Sequence, residues 1–380
     1  MVTIGELNQV SRAAFVLLTS HLDFGLAPNT TTTDEEFTKL LVRSAFRNEF
    51  VNTVAKQRRL TQTNLLESEL PHHDPLAKAL LYHLCALPLD AVDAQFDRVH
   101  EDLFAQAASA RLFTRPVDVA IDIHDWPYYG SKDTDQILIC NKTRGTNRAY
   151  RFATICAIVG GVRFTLDWMI LPANDWCAKR QIVRSLIQAA REKITIRHAY
   201  LDRGFYQVYV ARELKELDVE FIIRANPSQR MKDSLSASDG ETVVDEYEMR
   251  RKRTPAATEM VTMFAVPHRH KEGEHIWFVT NMDVTEETVY AYAQAFRRRW
   301  GIETSYRKIT EFLPKTSSPT FSVRLFYFSL AVTLYNLWIL VNLLVHPSVP
   351  RPRTPTISVR LFQQAISILL SRQVSIHDYG

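Results

Sequence analysis

A mixed α/β sheet flanked by helices, interrupted by a β-rich insertion and preceded by a helical region, is the fold class this sequence predicts. Three observations carry it. Helical periodicity with breaks fills residues 1–110, strands and helices alternate from Val117 to Arg224, and between Asn226 and about Val284 the helical period gives way to short β-rich runs. At 380 residues the chain is long enough to bury a large core and carry appendages.

In the first region, Thr33 and Glu36 have capping-box spacing and open a helix with Phe37, Leu40, Leu41 and Ala45 on one face. Asp74 before Pro75 marks a second helix start, and Val92, Phe96, Val99 and Leu103 form a third apolar stripe. This region is either a module that binds DNA ends or a bundle that only packs on its neighbour. From Val117 the chain predicts strands at Val117–Ile123, Tyr150–Val159 and Val162–Ile170, which read as a meander. Asp175 caps a helix with Ile182, Val183, Leu186, Ile187 and Ala190 on one face. A strand at His198–Asp202, a helix from Gln207 to Leu217 and a strand at Val219–Arg224 follow. Three strands, helix, strand, helix, strand is the order of a ribonuclease-H-like sheet. Strands at Glu246–Arg250, Glu259–Val266 and Ile276–Thr280 make up the insertion, and one long helix is expected over Thr285–Leu313. The expected division is 1–110 helical, 111–226 first part of the catalytic core, 227–284 insertion, 285–346 helices completing the core, and 347–380 a tail with a last amphipathic helix.

The net charge of +4 is compatible with a polyanionic partner without requiring one. Its clustering is more informative: Arg250 to Arg253 form one basic knot and Arg297 to Arg299 another. The four cysteines show no CxxC spacing, which argues against a zinc ribbon or a redox pair, and they read as reduced core residues. No export signal is legible at the N-terminus, so a cytoplasmic, nucleoid-associated location is expected. Phe326 to Val345 is uncharged and long enough to span a membrane. Its Ser329, Thr333 and Asn336 recur at helical spacing, and a helix packed inside a domain satisfies such a stripe more readily than lipid does. No membrane association is expected.

Three acids stand out. Asp122 ends the apolar run Val-Ala-Ile-Asp-Ile-His-Asp, where a carboxylate is costly to bury without a partner or an ion. Asp202 ends a short strand in Leu-Asp-Arg-Gly-Phe-Tyr, with Gly204 permitting the turn into the next helix. Acids at two strand ends of one sheet can share a divalent cation, since hard ions such as Mg²⁺ take oxygen ligands. Glu303 lies in Gly-Ile-Glu-Thr-Ser-Tyr-Arg, with Arg299 four residues before it and Arg307 four after. Ordinary helical ion pairs have the same spacing, and strand-end Asp residues are often caps, so residue chemistry alone leaves the trio open. Asp118 and Asp125 are possible substitutes.

At these positions the sequence resembles insertion-sequence DDE transposases, in particular the large group whose catalytic core carries a β-rich insertion, and within it a haloarchaeal-type branch. The resemblance runs from about Leu81 to Tyr335. It rests on Leu-Tyr-His-Leu at 81–84, Asp122 followed by Pro-Tyr-Tyr-Gly at 127–130, Arg-Gly-Thr at 144–146, Leu-Asp-Arg-Gly-Phe-Tyr at 201–206 and Gly-Ile-Glu-x-Ser-Tyr-Arg at 301–307. It implies that Asp122, Asp202 and Glu303 are the catalytic, metal-binding triad, holding two Mg²⁺ or Mn²⁺ ions that activate the attacking oxygen and stabilise the leaving one. It also implies that the protein cleaves and transfers strands of double-stranded DNA at terminal inverted repeats, as a homodimer in the DNA complex. Arg144, Arg299 and Arg307 are then expected phosphate contacts. The group also places a tyrosine seven residues before the glutamate and a lysine seven after; here these are Phe296 and Thr310, with Lys308 or Lys315 as substitutes for the lysine. That departure bears on whether DNA hairpins form. Trp277 or Trp126 could stack on an unpaired end base, although core packing is the more ordinary role of an indole.

Three other readings are distinguishable. A catalytically inactive, transposase-derived DNA-binding or regulatory protein is the alternative, against which stands the presence of all three acids. A glycosidase with paired carboxylates would need no metal, and a membrane-anchored protein rests on residues 326–345 alone.

Overall fold

The structure, a computed structural model, describes residues 4–62, 72–131, 134–143, 145–159, 161–238, 241–251, 257–345 and 355–371. The chain divides into two compact units, Met1–Leu112 with Ser305–Gly380, and Phe113–Thr304.

The first unit begins with α1 (Ile4–Thr19), α2 (Asp34–Arg47), α3 (Val51–Gln62), α4 (Pro75–Ala86) and α5 (Leu89–Ser109). The start of α2 is fixed as the sequence requires: the Thr33 hydroxyl accepts from the Glu36 amide at 3.2 Å, and the Glu36 carboxylate accepts from the Thr33 amide at 3.4 Å. At its other end Asn48 takes the left-handed conformation that closes a helix, with φ 51°. Asp74 caps α4 by accepting from the Leu76 amide at 2.9 Å.

The second unit is one continuous sheet, whose described strands are β1 (Val117–Pro127), β2 (Ile137–Thr143), β3 (Thr146–Val159), β4 (Val162–Ile170), β5 (Ile196–Leu201), β6 (Phe221–Arg224), β7 (Val243–Arg250), β8 (Thr258–Pro267) and β9 (His275–Thr280). The spatial order is β2-β3-β1-β5-β6-β9-β8-β7, with β4 also on β3. Strand β1 is central to the mixed pairing: antiparallel to β3 and parallel to β5, which is parallel to β6. The long β3 takes β2 along its first residues and β4 along the rest of the same edge, so the expected three-strand meander is joined by a hairpin strand, β2. The insertion strands do not form a separate module. β9 pairs antiparallel with β6 and extends the sheet through β8 to β7. The helices of this unit are α6 (Trp176–Lys193), α7 (Val208–Glu216), α8 (Gln229–Ala237) and α9 (Val289–Arg297). The fully buried Glu213 of α7 is held by Arg180 and Arg184 of α6, pinning the two helices together.

Two local expectations are corrected. Helix α8 lies where helical periodicity is absent; the Ser228 hydroxyl, accepting from the Met231 amide at 3.3 Å, starts it and Met231 anchors it. The helix expected over Thr285–Leu313 is broken into α9, a 3₁₀ turn at Arg298–Trp300, and α10 (Gly301–Thr310). The poor helix former Gly301 and the Arg163 guanidinium, which donates to the Arg298 carbonyl, both favour the break.

The first unit is completed by α11 (Phe321–Val345) and α12 (Val359–Ser371). Among the described residues α11 is the one helix long and apolar enough to cross a membrane, yet 83% of its most apolar window is buried inside the protein. It packs on α1, α4 and α5, with the Phe326 ring centroid 5.5 Å from that of Phe24 and 5.0 Å from that of Phe96. Its polar stripe is accommodated internally. The Thr333 hydroxyl donates to the Ser329 carbonyl at 2.8 Å and lies 3.3 Å from His100 Nε2, while Ser322 donates to the Leu84 carbonyl at 2.7 Å. The cysteine reading needs correction: only Cys156 is fully buried, where loss of hydration pushes its thiol up to about 12, and Cys85 and Cys177 are exposed. All four are free thiols. Phe326→Ala is expected to cost about 3–5 kcal/mol, as truncation of a buried aromatic does, read as a lower urea midpoint for the helical unit.

Candidate active site

The site is built where the parallel pairing of two strands, β1 and β5, ends. Ile121 of β1 is in register with Leu201 of β5, so the residues that follow, Asp122 and Asp202, emerge side by side at the same edge. Asp122 remains within β1, opposite Thr154, and its Oδ1 accepts from the Ile123 amide at 2.9 Å. At Asp202 the strand stops: its carbonyl accepts from the Phe205 amide at 2.9 Å, opening the short turn Arg203–Phe205 that leads towards α7.

Arg299 bridges the pair. Its Nη1 lies 3.2 Å from Asp122 Oδ2 and its Nη2 3.6 Å from Asp202 Oδ1. The arginine is 2% exposed, Asp122 15% and Asp202 39%, so the contacts grade from shielded to partly solvated. The guanidinium also sits 5.4 Å from the Phe296 ring centroid. The 3₁₀ turn lies between α9 and α10 and points Arg299 at the acids on the sheet. Glu303 lies in α10, but its side chain, like all of Arg144, falls outside the described residues. The same holds for Arg253, Arg351 and Arg353. Arg307 is exposed on α10 and belongs, by contact, to the helical unit.

The two substitute acids have other partners. Asp118, on the same face of β1 one helical-turn's worth of sequence earlier, is buried and accepts from Arg197 Nε and Nη2 at 2.7 and 2.6 Å, with His198 Nδ1 at 2.9 Å. Arg298 lies 3.6 Å away. Burial alone would raise its carboxyl, but the hydrogen bonds from His198 and Arg197 outweigh that and hold it well below the usual carboxylate range. Burial, then the charge of Asp118, pushes the neighbouring Tyr200 phenol up. Asp125 pairs with Arg151 at 2.6 Å. Consecutive arginines of one turn thus address two acids of one strand, Arg298 to Asp118 and Arg299 to Asp122. Nothing in the sequence singles out Asp118, Arg163 or Arg197 for this role, because the partners lie 79 to 180 residues apart in the chain and meet only in the fold.

The other candidates are placed as follows. Trp277 is buried in β9 and Phe296 is buried against Phe278 and Tyr200, with ring centroids 4.9 and 6.1 Å away. Lys308 is paired with Glu311 at 2.8 Å. Among the described residues no three His, Cys, Asp or Glu side chains converge as a metal cluster. The donor set nevertheless suits a hard divalent ion: Asp122 and Asp202 direct carboxylate oxygens at one shared cation, the role the guanidinium fills here.

The chain belongs to the family described as the transposase DDE domain, which matches residues 91–337. No curated protein is similar enough in sequence to count as a relative. Among solved structures, the piggyBac transposase synaptic complex with hairpin DNA, determined by cryo-electron microscopy, has the same fold. Its TM-score is 0.56 at 13% identity, over 97% of this chain and 77% of that one.

Two outcomes test this geometry. Arg299→Ala leaves two neighbouring carboxylates without their shared cation; discounted for the exposure of Asp202, a loss of roughly 2 kcal/mol is expected in urea unfolding, and Arg299→Lys recovers only part because one ammonium cannot fork. For Asp118 the folded value lies below the ordinary 3.8, so the unfolded chain holds the proton more tightly. Its contribution is complete above that value and is lost as pH falls beneath it. The unfolding temperature should therefore drop on acidification from just under pH 4, and Asp118→Asn should flatten that drop.

Proposed function

We propose that this transposase cleaves and transfers DNA strands at the terminal inverted repeats of its own insertion sequence, using Asp122, Asp202 and Glu303 as the catalytic carboxylates. The observation that carries the reading is the convergence of Asp122 and Asp202 on one cation at adjacent strand ends, in a chain of the transposase family. The three acids would hold two divalent ions, Mg²⁺ or Mn²⁺, which supply an activated attacking oxygen and charge stabilisation at the leaving one. The sheet contributes rigidity: both aspartates leave strands whose register is fixed over several residues, so their spacing changes little when DNA arrives. Arg299, with its donors already turned towards the acids, is suited to hold a phosphate at the same place, and Arg144 and Arg307 extend the contact along the backbone.

The helical unit is the part assigned to recognition of the DNA ends, and the complex is expected to contain two protomers. In the solved piggyBac complex the DNA is a hairpin. In this chain Phe296 has no hydroxyl to offer a phosphate and Lys308 is paired with Glu311, so the contacts available to a hairpin differ from those of the wider group. The motifs resemble those of the branch common among haloarchaea, to which we assign the chain.

The test is excision in cells carrying the element's ends beside the gene, together with nicking of end-bearing DNA in vitro. Mg²⁺ or Mn²⁺ should support nicking and chelator should stop it. Asp122→Asn, Asp202→Asn and Glu303→Gln should each abolish it while DNA binding persists. If natural protein and variants bind the ends alike and none cleaves, the regulatory reading replaces this one.

A further inference from the structure

A cavity of about 240 Å³ lies in the sheet unit between α9 and the β8–β9 hairpin. Phe278 and Phe296 form its floor, and Arg224, Arg269, Arg297 and His268 line its mouth. Among the described residues no acidic one lines it. Among the described residues none of the three arginines is ion-paired, whereas most other arginines of this unit have a carboxylate partner. Burial, followed by the charge of Arg269, pulls Arg297 below the usual guanidinium range. Like charges gathered against an apolar floor are costly to the folded chain and focus a positive field into the cleft. Such a cluster fits an anion.

Its place on the sheet identifies which anion. Leu201 of β5 is in register with Ile223 of β6, so Arg224 follows Ile223 at the same edge where Asp202 follows Leu201. Asp122, Asp202 and Arg224 therefore stand in a row, the first and last separated by two strand spacings, roughly 10 Å. Phe296 serves both places, as floor of the cavity and as the ring beside Arg299. The cavity lies on the face of β9 that carries Ile276 and Phe278, opposite the face that carries Trp277.

We propose that Arg224, Arg269 and Arg297 form a clamp for a backbone phosphate of duplex DNA, one step along the strand from the phosphate addressed by Asp122 and Asp202. The clamp rests on the transposase reading and adds to it a second anchoring point beside the carboxylate site, to which β6 contributes Arg224, the insertion Arg269 and α9 Arg297. The apolar floor offers the guanidinium groups no competing acceptor, so their donors are left for phosphate oxygens.

The test is binding of a fluorescein-labelled duplex followed by anisotropy over about 0.05–0.3 M KCl, for the natural protein, the Arg269→Ala/Arg297→Ala double variant and Lys271→Ala. Lys271 belongs to the same turn but is paired with Glu274, so its removal should leave binding unchanged. The double variant should weaken binding about tenfold or more, and flatten the slope of log affinity against log salt by about 0.9, the amount for the one lost phosphate contact. Both mutated side chains lie at the cavity mouth, so the melting temperature should hold. An unchanged slope in a folded double variant overturns the clamp. Inorganic phosphate titrated by calorimetry distinguishes the other source of the same chemistry: tight phosphate binding that the double variant loses, with an unaltered DNA slope, assigns the cavity to the free ion and overturns the DNA assignment. If the natural protein binds no duplex but does bind phosphate, the function proposed above fails for a different reason and this assignment falls with it. A clamp that behaves as stated while Glu303→Gln still nicks DNA leaves the clamp standing and removes only the carboxylate assignment.

Discussion

Two carboxylates forced together by strand register are the constraint on which the sheet unit depends. Because Ile121 pairs with Leu201, Asp122 and Asp202 cannot drift apart without breaking the parallel pairing of β1 and β5. Their repulsion has to be met by a cation, and Arg299 meets it from a chain segment 177 residues from Asp122. That demand shapes the segment itself. A continuous helix would carry Arg299 round its own axis, whereas the 3₁₀ turn at Arg298–Trp300 lets neighbouring arginines reach two acids on one face of β1. Arg163 takes up the Arg298 carbonyl that the break leaves available.

The Asp118 cluster reads most simply as the support for this arrangement. Its carboxylate is buried and accepts from Arg197 and His198, so it stays charged, and it faces Arg298 from below. Asp118 is met by donors of β5 and of the turn, whereas Asp122, four residues on, shares the Arg299 guanidinium with Asp202.

Hydrophobic burial does the corresponding work in the helical unit. α11 would meet a length-and-composition test for a membrane span, but its faces are covered by α1, α4 and α5, and its serine and threonine hydroxyls bond within the unit. A helix apolar on all sides is what a packed interior requires as much as what a bilayer requires. In the sheet unit the insertion shows a similar economy: rather than forming its own core, it extends an existing sheet by pairing β9 with β6.

Elements governed by local chemistry were legible in the sequence. The Thr33–Glu36 capping box, the Asp74 and Asp175 caps, the strand end at Asp202 and the insertion strands all follow from residues near in sequence, and the motifs around Asp122 and Asp202 carried the family; β1, expected to stop at Ile123, runs on to Pro127 because β3 pairs with it that far. Whatever depended on partners remote in sequence was not legible. The break at Arg298–Trp300, the assignment of Arg299 to two aspartates, the exposure of Cys85 and Cys177, and the start of α8 at Ser228 each need a neighbour that only folding supplies. The sequence determined that Asp122 lies on a strand and that Asp202 closes one, because strand period and turn residues are local. The tertiary structure decided which cation stands between them, because charges 80 to 180 residues apart in the chain interact only after the sheet has brought them together.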